Sequence, residues 1–265
     1  MRRLRRLLVI DPSVAYPEDE GVAQVLSGWP AASLVLQPAL KPGDGPGPGF
    51  GYGFDAVVVL GSRASVHDDL PWLEALGAWL DPVLRGRELL PVLGICFGHQ
   101  LIAHRAGGEV GLIRPDGAKE VGLRETVLDG SRLLPGRRGL RVVVSHREEV
   151  KKAPPGYRVV AKRQGVDVDG MEHETLPIFG FQFHPEARDE FLSSQGLDPS
   201  CMDDAMRADC QRLLAAFLEG DVFQSGVLGT ASIKRRYREP PREEARSTAS
   251  RARSWPWDSP GRPGS

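Results

Sequence analysis

The sequence predicts an α/β protein: an open, mostly parallel sheet with helices on both faces and a small antiparallel elaboration. Three observations carry this. Short, continuously apolar, β-branched runs such as Val57-Val58-Val59-Leu60 and Val142-Val143-Val144 suit strands covered on both faces. In the first half such runs alternate with segments of helical periodicity, the pattern of βαβ units. From roughly Gly111 to Val168 the helical segments give way to short strands between turn signals, Arg114-Pro-Asp-Gly117, Asp129-Gly130 and Ala153-Pro-Pro-Gly156.

In chain order, buried strands are expected at Leu7–Ile10, Leu34–Leu36, Ala56–Leu60, Leu90–Ile95, Arg141–Val144, Tyr157–Ala161 and Ile178–Phe183. Helices are expected at Glu18–Leu26, Leu70–Leu84, Gly98–Arg105 and Asp203–Leu218. Leu73, Leu76, Trp79, Leu80 and Val83 line one side of the second, and Met206, Leu213, Leu214 and Phe217 one side of the last. The Gly- and Pro-rich stretch 41–53 reads as a surface loop. The chain divides into a folded domain over 1–225 and an Arg/Pro/Ser-rich tail over 226–265, expected to be disordered because it has too few aliphatic residues to offset ordering entropy. Between Lys234 and Arg262 the tail has nine basic and four acidic residues, too diluted by Glu and Pro to signal nucleic acid.

Composition bounds the function. The 265 residues, 41% of them hydrophobic, can bury one sizeable core, and a net charge of −1 gives no global pull toward nucleic acid or a membrane. No apolar run reaches membrane-spanning length, and the apolar stretch after the basic start ends at Asp11, too short for a signal peptide. The three cysteines, Cys96, Cys201 and Cys210, form neither a zinc pattern nor an even disulfide set. A cytoplasmic protein with no metal or other cofactor is the expectation.

Cys96 stands in the frame Gly94-Ile95-Cys96-Phe97-Gly98, where an apolar run stops and a helical pattern starts. G-x-C-x-G has the form of a nucleophile elbow, whose sharp strand-to-helix turn crowds the positions two before and two after the nucleophile. A helix N-terminus favours the thiolate, the reactive form. Taken alone, the pentapeptide is also compatible with a buried structural cysteine among packing glycines.

A thiol that transfers acyl groups needs a proton carrier. Of six histidines, His67, His104 and His173 lie in ordinary polar or helical contexts, and His99 follows Cys96 too closely to face it. His146, in Val142-Val-Val-Ser145-His146, and His184, in Ile178-Phe-Gly-Phe-Gln-Phe-His184-Pro-Glu186, both end apolar strands. His184 has Glu186 two residues on, on the same side of an extended segment. Strand C-terminal ends are where open α/β sheets bind ligands.

Together, Leu93-Gly-Ile-Cys-Phe-Gly-His-Gln-Leu-Ile-Ala103 and Phe179-Gly-Phe-Gln-Phe-His-Pro-Glu-Ala187 resemble the class I, triad-type glutamine amidotransferases over most of residues 5–220. Residues 57–73 look most like the free-standing, GMP-synthase-like subgroup. The resemblance implies a flavodoxin-like sheet and a glutaminase. Cys96 would attack the glutamine side-chain amide, His184 would carry the proton and Glu186 would orient His184. The backbone N–H groups of Gly61 and Phe97 would form the oxyanion hole, and Gln100, Ser145 and His146 would bind substrate. Two positions depart from the pattern: Arg63 stands where proline is common, and Ser145-His146-Arg147-Glu148 ends in a longer acid.

The acceptor is not legible. The chain has no Walker A motif and no room for an ATP-using domain, so ammonia would pass to a separate acceptor or a synthetase partner chain. A γ-glutamyl peptide or amide hydrolase with the same three residues is the alternative. A non-catalytic regulatory module of a partner enzyme is a third.

Overall fold

The computed structural model describes residues 5–220. The expected tail over 226–265 lies outside the described residues. The chain begins β1 (Arg6–Ile10), α1 (Asp19–Ser27), β2 (Ala32–Leu36), β3 (Ala56–Val59), α2 (Pro71–Leu84), β4 (Val92–Ile95) and α3 (Phe97–Arg105). The antiparallel region follows as β5 (Glu109–Leu112), β6 (Glu120–Leu128), β7 (Gly139–His146), β8 (Glu148–Lys152), β9 (Tyr157–Arg163) and β10 (Val166–His173). The chain then returns to the centre with β11 (Ile178–Phe181), α4 (Asp189–Ser194), a 3-10 turn and α5 (Asp204–Glu219).

One nine-stranded sheet runs β2-β1-β3-β4-β11-β10-β9-β6-β7, and β5 and β8 pair separately. The first five strands are mutually parallel and the rest antiparallel. The elaboration expected from the turn signals therefore has two parts, a four-strand extension of the main sheet and the small β5–β8 ribbon.

Side chains of the parallel strands alternate between two cores. Leu7, Val9, Val58, Leu93 and Phe179 face Val25 of α1 and Leu213 and Phe217 of α5. Leu8, Ile10, Val57, Val59 and Val92 face Leu76, Leu80 and Val83 of α2 and Leu101 of α3. Burial on both sides is why these strands are apolar at every position. β2 departs from the expectation of a buried strand: it lies at the sheet edge, and Leu34 is 41% exposed. The 41–53 loop is pinned to α2, where Tyr52 stacks on Trp79 and the Trp79 indole donates to the Phe50 carbonyl (3.1 Å).

Register aligns the strand ends. Ile10 pairs with Val59, Val59 with Gly94, and Phe181 with Ile95, so Asp11, Gly61, Cys96 and Gln182–His184 all leave the sheet at one edge. The antiparallel half curls back toward it. The His184 backbone N–H donates to the Val143 carbonyl of β7 (2.9 Å), although β7 stands last in strand order.

Candidate active site

Cys96 is the one non-glycine with positive φ among the described residues, at φ 52°, ψ −103°. Such a backbone is strained for a residue with a Cβ and persists only where the surroundings hold it. Here the Cys96 N–H donates to Phe181 of β11 (2.8 Å), and its carbonyl accepts from the Gln100 N–H (3.0 Å) to start α3. The two flanking glycines are required by space. A Cβ on Gly94 would fall 2.5 Å from the Gly98 carbonyl group, and one on Gly98 would strike the Val59 carbonyl oxygen of β3. The elbow is thus a contact among three elements, β4, α3 and the neighbouring strand β3.

Around the sulfur, Gln182 Nε2 donates to Sγ (3.6 Å), and the Ser145 carbonyl lies 4.0 Å away. Gly61 sits where a Cβ would be 3.0 Å from His184 Cε1 and 3.7 Å from Cys96 Cβ. The Gly61 and Phe97 N–H groups have no protein acceptor among the described residues and flank the thiol. Cys96 is only 4% exposed.

His184 and Glu186 meet as their spacing predicts. Nδ1 donates to Glu186 Oε1 (2.8 Å), and Nε2 is buried with no hydrogen-bond partner of ordinary geometry. Burial alone would push the imidazole pKa down. The Glu186 carboxylate and the Cys96 sulfur outweigh it and hold the pKa well above its ordinary value. The ring therefore favours imidazolium while Glu186 and the sulfur are both in place.

His146 is held in the opposite state. Arg163 only donates, so its contact with Nε2 (2.7 Å) makes that nitrogen the acceptor; Nδ1 then carries the proton given to the Glu148 carbonyl (2.8 Å). Burial, then the Arg163 charge, lowers its pKa to about 4. Arg163 is itself fixed by Asp169 (2.9 Å) and Glu120 (2.8 Å). Gln100, expected to hold substrate, donates to the Glu148 carbonyl (2.6 Å) and to Gln182 (3.2 Å). The Ser145 hydroxyl donates to Gln195 Oε1 (2.7 Å), which also accepts from Lys119 Nζ (2.6 Å). His99 points away from the thiol, toward the Val168 carbonyl (3.2 Å).

Three residues of the site escaped sequence reasoning. Gln182 was within reach of it, since the alternation that joins His184 to Glu186 also puts Gln182 on that side. Lys119 has no motif. Glu18, at the start of α1, converges with Glu186 from behind: both Cγ atoms lie 3.0 Å from the point where a Gly21 Cβ would stand. Burial, then Glu186, raises the Glu18 pKa to about 7, and Asp11 and Glu20 add to the rise while His184 opposes it.

Such an arrangement can do acyl-transfer chemistry: a thiol on a strained turn with an imidazole–carboxylate pair beside it. The family model described as glutamine amidotransferase class-I matches residues 54–197. The glutamine-hydrolyzing GMP synthase subunit of Thermococcus kodakarensis is 47% identical over 98 residues, covering 37% of this chain and 51% of the relative. The corresponding Pyrococcus furiosus protein is 46% identical over 98 residues, with the same coverage of 37% and 51%. The matched region thus spans about half the length of these curated relatives. Among solved structures, a glutamine amidotransferase from Thermotoga maritima superposes with TM-score 0.66 at 19% identity, covering 83% of this chain and 99% of that one. One from Methylobacillus flagellatus gives 0.65 at 21% identity, covering 83% and 95%. At these identities the two structures share the fold.

Proposed function

The chain belongs to the class-I glutamine amidotransferase family, and on that premise we propose that it hydrolyses the side-chain amide of glutamine through a γ-glutamyl thioester on Cys96. The observation that carries the reading is the pairing of a positive-φ cysteine with a buried imidazole whose far nitrogen is bound to a carboxylate. An inert cysteine needs neither the strain nor the partner.

In the proposed reaction, Sγ attacks the amide carbon with His184 holding the thiol proton. Negative charge develops on the amide oxygen against the Gly61 and Phe97 N–H groups, each such donor being worth about 3 kcal/mol. His184 then protonates the departing nitrogen, the C–N bond breaks, and ammonia leaves. Water attacks the thioester with His184 as base, releasing glutamate and the thiol. Glu186 holds the His184 ring in the tautomer this requires. Gln100, Ser145 and His146 form the pocket for the glutamyl end.

The two GMP synthase relatives are subunits of a glutamine-hydrolysing synthase. By extension, the ammonia made here would pass to a separate acceptor or a synthetase partner chain. The amidotransferase domain is proposed to run over 1–225. A reducing, cytoplasmic setting belongs to the proposal, since the nucleophile must stay a thiol; no described helix is long and apolar enough to cross a membrane.

The test is direct. Pure protein is incubated with L-glutamine, and ammonia and glutamate are measured in equal amounts. Release by Cys96→Ala at the wild-type rate would sink the assignment. A second reading, hydrolysis of larger γ-glutamyl amides by the same groups, is favoured by one observation, three cations near the thiol that have no carboxylate partner among the described residues.

A further inference from the structure

Three exposed basic side chains from three segments stand near the thiol, Lys119 close enough to feel the charges of Cys96, Arg63 and Arg147. Arg63 stands two residues beyond Gly61, on the loop after β3. Arg147 follows His146, and Lys119 precedes Glu120; Glu120 and His146 are the last β6–β7 pair, so Lys119 and Arg147 both stand just past it. The Arg63 loop is tied to this turn by the Ser65 hydroxyl, which donates to Glu148 Oε1 (2.9 Å). Lys119 donates to Gln195, which also accepts from the Ser145 hydroxyl. None of the three cations has a carboxylate partner among the described residues, whereas Arg105, Arg132, Arg163 and Arg207 all do.

Their mutual effect is visible at Lys119. Burial by its neighbours lowers the ammonium pKa, the Cys96 sulfur works against that, and Arg63 and Arg147 add to the lowering. Like charges held near one another raise the free energy of the empty site, and an arriving anion relieves it. The resemblance gives the glutamyl end to Gln100, Ser145 and His146, so that end does not by itself call for three further cations. Arg63 stands where the pattern often has proline.

We propose that Arg63, Lys119 and Arg147 form a subsite for a second anionic group, so that the favoured substrate is a γ-glutamyl amide whose amine portion carries a carboxylate. This rests on the hydrolytic reading above and narrows its substrate class. Free glutamine remains a substrate that leaves the subsite empty.

γ-Glutamylglycine and γ-glutamylglycinamide differ only in that carboxylate. Wild-type protein is expected to hydrolyse the first with kcat/KM about tenfold higher or more, the scale of one hydrogen-bonded charge contact. The advantage should shrink between about 20 and about 200 mM salt, where surface charges become screened. In the Arg63→Met/Lys119→Met/Arg147→Met variant the ratio of the two substrates should fall toward one. Because a ratio is read, partial loss of folded protein does not mimic the result, and the salt series needs no variant. Equal kcat/KM for the two peptides in the wild type, or an advantage that survives in the triple variant, overturns the subsite. Calorimetric binding of both peptides to Cys96→Ala separates the two readings. Preferential binding there without turnover by the wild type keeps the subsite and removes the hydrolytic reading. Turnover of both peptides at one rate does the reverse.

Discussion

The ends of β7 and β11 carry the same sequence signal and opposite chemistry. Each is an apolar run followed by a buried histidine, His146 on one and His184 on the other, and the two rings feel each other's charge. At His184 one ring nitrogen meets a carboxylate and the other is left free toward the sulfur; at His146 one nitrogen meets a guanidinium and the other a carbonyl. The first is drawn toward imidazolium and the second held neutral, with a pKa of about 4. Burial is common to both. A carboxylate, Glu120, also lies 3.7 Å from His146 Nε2, but the Arg163 charge outweighs it there, whereas Glu186 and the Cys96 sulfur face His184.

The largest expected effect breaks the comparison outright. Cys96→Ala and His184→Ala should each lower glutamine kcat by three to four orders of magnitude or more, roughly what loss of a nucleophile or its base removes elsewhere. His146→Ala should act mainly on KM. Steady-state ammonia release separates the two histidines, and a collapse of kcat in His146→Ala with His184→Ala intact would exchange their roles. Next comes Glu186→Gln, which keeps the shape and removes the charge. Without the carboxylate the imidazolium loses its main support, its pKa falls, and kcat should drop by about two orders of magnitude or more. An unchanged pH–rate profile would show that Glu186 does not act through His184.

How much of this was readable in the sequence follows from what each feature depends on. The parallel strands were legible because both faces are buried and every position must be apolar; β2 misled because an edge strand can carry Leu34 outward. The Cys96 frame was legible because Gly94 and Gly98 answer to backbone contacts with each other and with Val59, which tolerate no side chain. His184 and Glu186 are joined by local alternation alone. Arg163, which disarms His146, lies 17 residues further on in another strand, and the pair forms only through the antiparallel register of β6, β7 and β9. Lys119 and Glu18 likewise depend on tertiary meetings that no local pattern encodes.

The third prediction uses stability to sharpen the same contrast. A histidine whose pKa is lowered on folding binds fewer protons than in the unfolded chain, so stability is lost as pH falls from about 6.5 toward 4. His146 and His99, both at about 4, should each contribute on the order of 3 kcal/mol to that acid loss. His184, with its pKa raised, has the opposite sign: its contribution is complete below about pH 6.5 and is lost as pH rises through its folded value. Urea midpoints across pH should therefore flatten on the acid side in His146→Gln and on the alkaline side in His184→Gln. Identical slopes in the two variants would remove the electrostatic account of why they differ.

The smallest expected effect lies behind Glu186, at Glu18. Its carboxyl shares the space over Gly21 with Glu186, and burial followed by that like charge raises its pKa to about 7. Between about pH 4.5 and 7 the folded state holds a proton that the unfolded chain has released, so stability declines as pH rises through this window and levels off above it. Glu18→Gln removes the titration. It should match the wild type near pH 4.5 and exceed it at pH 8 by about 1 kcal/mol, a figure reduced for the water that reaches the partly open side chain. Urea midpoints at the two pH values measure this difference. A variant no more stable than the wild type at pH 8 would mean that Glu18 ionises near its ordinary value, and that between about pH 5 and 7 the negative charge behind His184 already comes from Glu186 and Glu18 together.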